Sequence, residues 1–118
     1  MKITIKQQAV LDTLRQIGRE NFYRYRGKEP HLHKIDCENV ARGDDHCAFG
    51  LGGFTYQVGY RLGMKPASVL AIFKSLESKG LVLRETQYPE YQRPLYWWPV
   101  GLAAELVAEL GLRCEVRS

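Results

Sequence analysis

Apolar residues recur along the chain at helical and strand spacings. Val10, Leu14 and Ile17 stand at i, i+4 and i+7, and Leu11 joins their stripe, which predicts a helix from about Lys6 to Gly18 with a continuation toward Arg24. Val69, Ile72, Phe73 and Leu76 stand at i, i+3, i+4 and i+7, the signature of a helix with one buried face. Lys65-Pro66 suits its first turn, and Gly80 its C-terminal cap. A shorter helix precedes it, with Thr55 as cap, Val58 and Leu62 as apolar positions, Tyr56 and Tyr60 beside them, and Gly63 as stop. Leu81–Thr86 and the aromatic run Leu95–Val100 read as strands on either side of a turn at Tyr88–Pro94. Leu102, Leu106 and Leu110 then mark a last helix, ended by Gly111.

Residues 23–53 do not share this regularity. Glycine, proline and charge punctuate both ends, at Tyr23–Pro30, Arg42–Asp45 and Gly50–Gly53. Apart from a short helix around Ile35–Ala41, the stretch reads as an irregular insert in a single domain spanning residues 1–118. The composition, 45% hydrophobic and 25% charged, is sufficient for one folded core.

Two short helices joined by a tight turn, then a strand, a turn and a returning strand, predict an α+β winged helix-turn-helix. This comprises a three-helix core, a two-stranded wing and a C-terminal helix. The second helix of the pair divides its labour. Opposite its apolar stripe lie Ala67, Ala71, Lys74 and Ser78, flanked by Ser68, Leu70 and Ser75. Small residues permit close backbone approach to a groove, serines meet phosphates or base edges, and lysine supplies charge. Lys65 stands at the helix start, where backbone N–H groups also favour a phosphate.

Charge sharpens this reading. Between Cys47 and Arg84, the cations Arg61, Lys65, Lys74, Lys79 and Arg84 are opposed by Glu77 alone, so that stretch carries the whole net charge of +4. A polyanionic partner is the expected counterpart.

The stretch Thr55–Met64, then Ser68-Val69, then Leu76-Glu77-Ser78-Lys79-Gly80-Leu81-Val82-Leu83-Arg84, resembles the winged helix-turn-helix of MarR-type transcriptional regulators. The resemblance implies that residues 65–78 enter a major groove and that the wing near Tyr88–Arg93 touches backbone or minor groove. Arg93 looks like the wing arginine of that family, although Glu90-Tyr91-Gln92-Arg93 replaces the family's Asp-x-Arg signature. The expectation is sequence-specific binding to double-stranded DNA in transcriptional regulation. Lys65, Lys74 and Arg93 would meet phosphates, and Ala67, Ser68, Ala71, Ser75 and Ser78 would line the groove. A homodimer on a palindromic operator is expected, with helix 1 and Leu102–Leu110 supplying its interface. The alternative is a winged-helix protein-binding module, a phage or host accessory factor, acting through the aromatic wing and Trp97.

Other constellations carry less. His31, His33, Cys37, His46 and Cys47 are zinc-ligand types, but no Cys-x-x-Cys pair occurs. A Cys–His catalytic pair from the same residues lacks a third partner and an oxyanion site, so no enzyme and no cofactor are expected. Asp44-Asp45 reads as solvated loop acid. Gly50-Leu51-Gly52-Gly53 lacks the lysine of a phosphate loop and reads as a flexible lead-in to the second helix. Tyr23-Arg24-Tyr25-Arg26 interleaves rings with cations, suited either to a nucleic-acid backbone or to local packing. Three cysteines without framework spacing argue against a disulfide-built fold, and no apolar run is long enough for a membrane span. Met1–Lys6 lacks the apolar region of a secretion signal, so a cytoplasmic location is expected.

Overall fold

The computed structural model describes residues 2–45, 51–85 and 96–111, the side chains of residues 25 and 26 excepted. Among these residues the chain forms α1 (Ile5–Lys28), α2 (Pro30–Ala41), β1 (Gly53–Phe54), α3 (Thr55–Leu62), α4 (Pro66–Ser78), β2 (Val82–Arg84), β3 (Tyr96–Pro99) and α5 (Leu102–Leu110). The turn expected at Tyr88–Pro94, with Arg93, lies outside the described residues, as do His46 and Cys47.

Helix α1 starts on a reciprocal cap. The Gln7 backbone N–H donates to Thr4 Oγ1 at 3.0 Å, and the Thr4 N–H donates to Gln7 Oε1 at 3.0 Å. The helix continues past Gly18, as its expected extension toward Arg24 allowed, and runs on to Lys28. Another segment crosses α1 at that point. A Cβ at Gly18 would lie 2.6 Å from the Leu51 carbonyl oxygen and 2.8 Å from Leu102 Cδ2. The glycine is a crossing point, and its helix penalty of about 1 kcal/mol is spread over a well-packed helix.

The expected irregular insert at 23–53 is also corrected. Its first part completes α1, and Pro30 opens α2 rather than breaking structure, since proline fits a first helical turn. Only Asp36 and Val40 of α2 are fully buried, too few to trace a stripe in the sequence. The acid pair at its end is not simply solvated. Asp45 accepts hydrogen bonds from the Gly101 and Ala103 N–H groups, at 2.9 Å each, and so caps α5 from across the molecule.

The sheet has three strands in the order β1-β3-β2, all antiparallel, where two were expected. Gly53 pairs with Trp97 and Phe54 with Tyr96, so the last residue of the glycine-rich lead-in opens an edge strand. On the other side Val82, Leu83 and Arg84 pair with Pro99, Trp98 and Trp97. This α+β arrangement is compatible with a winged helix.

Side chains alternate along β3, so Trp97 and Trp98 point to opposite faces, and both are buried. Trp97 joins Val10, Leu14, Ile17, Val58, Phe73 and Leu76 in a cluster beneath α1, α3 and α4. It stacks on Phe73 at 4.9 Å between ring centroids, and its Nε1–H donates to Thr55 Oγ1 at 3.1 Å. The Thr55 hydroxyl therefore serves the core instead of capping α3; Phe54 holds the cap position. Trp98 joins Phe22, Val40, Leu51, Leu102 and Leu106 in a second cluster against α2 and α5. Val10, Leu14 and Ile17 of α1 and Leu102 and Leu106 of α5 are thus buried inside one chain, while Leu110 stays exposed. Among the described residues, no helix is long and apolar enough to cross a membrane.

Phe73→Ala should lower stability by about 3–5 kcal/mol, because it removes the ring stacked on Trp97 and leaves a cavity; urea denaturation measures this. Asp45→Ala should cost about 1 kcal/mol in the same assay through loss of the α5 cap.

Candidate nucleic-acid interface

Helices α3 and α4 are joined by a turn that Gly63 makes possible, its φ of 65° lying in the left-handed region. The Met64 N–H closes the turn on the Gly59 carbonyl at 2.8 Å. Lys65 then holds the cap position of α4 in extended backbone, and Pro66 enters the helix. Val69, Phe73 and Leu76 are fully buried against α1, α3 and β3. The opposite stripe is open: Lys65, Ala67, Ser68, Ala71, Lys74 and Ser78 are all exposed.

Ser75 does not belong to that open face. Its Oγ accepts from Gln7 Nε2 at 2.9 Å, and its carbonyl accepts from the Ser78 hydroxyl at 2.6 Å. The Ser78 hydroxyl is therefore directed back onto its own helix. Gln7 is the hub here. While capping α1, its Oε1 also accepts from Lys79 Nζ at 3.1 Å, and the same ammonium donates to the Lys2 carbonyl at 3.3 Å. The start of α1 is thereby fixed beside the end of α4, which brings exposed Lys2 into its neighbourhood. A link across 68 residues leaves no trace in local spacing.

The charge expected on this segment is largely committed within the chain. Arg61 pairs with Glu20. Arg84 donates to both Glu77 carboxylate oxygens, at 2.6 and 2.7 Å, and these bonds raise its pKa above the ordinary arginine value. Its guanidinium also lies 5.6 Å from the Trp97 ring centroid. Among the described residues, Lys65 and Lys74 are the cations of this segment that form no ion pair or side-chain hydrogen bond.

The sequence reading placed Tyr56 and Tyr60 beside the apolar positions of α3, but they project outward, 59% and 90% exposed. The helical wheel holds the signal, since residues 56 and 60 oppose 58 and 62. Trp97, the residue of the protein-binding alternative, is completely buried and presents no surface.

Among the described residues the zinc candidates do not converge. His33 and Cys37 lie one turn apart on α2; His33 Nδ1 is 3.2 Å from the Phe22 carbonyl and Nε2 is 3.4 Å from Cys37 Sγ. His31 is exposed beside Glu29. No group of three or more metal-ligating side chains occurs among the described residues.

The chain matches no family model, no curated protein and no solved structure.

Gln7→Ala should destabilise the domain by about 1 kcal/mol through loss of the α1 cap, and it should detach Ser75 and Lys79 from α1. Urea denaturation together with amide exchange at the end of α4 checks both effects.

Proposed function

We propose that this chain is a winged-helix DNA-binding protein that reads double-stranded DNA and regulates transcription. The observation that carries the proposal is the division of α4. Its large apolar side chains are sealed inside, while Ala67, Ser68, Ala71 and Lys74 stand clear of the rest of the chain. A rod with a low-profile outer face fits the depth of a major groove. Lys65 and Lys74 flank that face, one near each end of the helix, and neither is engaged by a carboxylate among the described residues. Between Asp45 and Glu77 the sequence contains no acidic residue, so nothing on α3 or in the body of α4 repels a phosphate.

In this reading Lys65 and Lys74 neutralise phosphates, Ala67 and Ala71 allow the backbone close to the bases, and Ser68 supplies a hydroxyl to a base edge or phosphate. Arg93 retains its role at the wing. Ser75 and Ser78 contribute through helix geometry, since their hydroxyls are engaged. Two copies on a two-fold operator belong to the proposal, joined through surface other than the buried stripes of α1 and α5.

Binding to a random-sequence duplex, followed by fluorescence anisotropy, should weaken with salt by roughly one log-log unit per phosphate contact. Lys65→Ala and Lys74→Ala should each lower that slope by about one and leave the urea midpoint unchanged. Wild-type affinity retained in the double variant would remove α4 from the interface.

A further inference from the structure

Two exposed tyrosines stand one helical turn apart on α3, beside the proposed duplex-reading helix. Tyr60 is 90% exposed and Tyr56 59%. Behind them runs a continuous series of ring contacts. Trp98 meets Tyr96 at 4.7 Å, Tyr96 meets Phe54 edge-on at 4.8 Å, and Phe54 stacks on Tyr56 at 5.4 Å with 21° between planes. The buried end of this series lies in the second core cluster, so Tyr56 is held from behind and its orientation is set before any ligand arrives. Tyr60 leads directly into the Gly63 turn and Lys65.

We propose that Tyr56 and Tyr60 form a stacking platform for unpaired bases, so that the chain recognises a duplex continuing into a single strand. This rests on the duplex reading of α4 and extends it. Exposed aromatic faces beside cations are the general means of holding single strands, because every base offers a π-face and every linkage a phosphate. Charge selects this occupant over a protein. No acid lies between Asp45 and Glu77, and the nearest one packed on α3, Glu20, is neutralised by Arg61. The exposed residues of α3 are Tyr56, Tyr60 and Arg61, two rings and a cation. A strand leaving the groove past Lys65 meets Tyr60 first and Tyr56 one turn later.

The test compares a blunt duplex with the same duplex carrying a six-nucleotide oligothymidine tail at either end of one strand, by fluorescence anisotropy. The tail should tighten binding about tenfold, the order expected of one stacked base. Tyr60→Ala and Tyr56→Ala should abolish that gain and leave blunt-duplex affinity unchanged, while Tyr60→Trp should retain it. Both sites are solvent-exposed, so folding of the variants is checked directly by the urea midpoint. Equal affinity for blunt and tailed duplexes, or a tail gain that survives both alanine variants, overturns the platform and leaves the duplex reading standing; a protein-docking role for the tyrosines would give this result. Failure to bind either duplex overturns both.

Discussion

Trp97 and Trp98 are adjacent in sequence and point in opposite directions, and each is the largest residue of its own apolar cluster. A strand with two such neighbours must be covered on both faces. One face is closed by α1 and the α3–α4 pair, the other by α2 and α5. The edge strands β1 and β2 confine β3 laterally. The position of α4 follows from this, because Phe73 stacks on Trp97 and fixes which side of the helix turns inward. The outer face of alanine, serine and lysine is then left open by default. The proposed recognition surface is what remains once the opposite surface is committed to the core.

Electrostatics follow a similar economy. Exposed ion pairs such as Arg61 with Glu20 contribute about 0–1 kcal/mol each. Their larger effect is on the external field. With Arg61 and Arg84 paired to carboxylates, the remaining positive charge of the segment rests on Lys65, Lys74 and Lys79, the last hydrogen-bonded to uncharged oxygens. Arg84 is further held by its contact with Trp97, which ties the end of β2 to the core. The field near α4 is thus narrower than the sequence count implies, and aligned with the helix whose side chains leave room for a duplex.

Periodicity made α3, α4 and α5 legible almost residue for residue, because each has a repeating apolar stripe and a glycine or proline at its limits. Three features escaped it. Helix α2 was legible only over Ile35–Ala41; it contributes two fully buried residues, one of them an aspartate, so no stripe extends it back to Pro30. Strand β1 is two residues long and begins with glycine, and its existence depends on β3 lying alongside. Gly18 resembles a terminator, whereas only the approach of Leu51 explains it. The candidate site divides in the same way. Exposure of Ala67, Ala71 and Lys74 follows from the wheel. The capture of Ser75 by Gln7, and of Arg61 by Glu20, depends on distant segments that no local spacing encodes. Adjacent tryptophans in a strand allowed one to be read as a surface; two covered faces leave neither exposed.

Helix α1 is about 36 Å long at 1.5 Å per residue, close to the greatest dimension of the molecule, 38 Å. Its first half supplies Val10, Leu14 and Ile17 to one cluster, and Phe22 belongs to the other. Gly18 stands between the two. A shared helix of this kind couples the two layers, since it contributes buried side chains to both. Position 18 is where a single added methyl group would press on Leu51 and Leu102, between the two clusters. In a library of random variants screened for folded protein, it would rank among the least tolerant sites of the chain despite its distance from the proposed ligand.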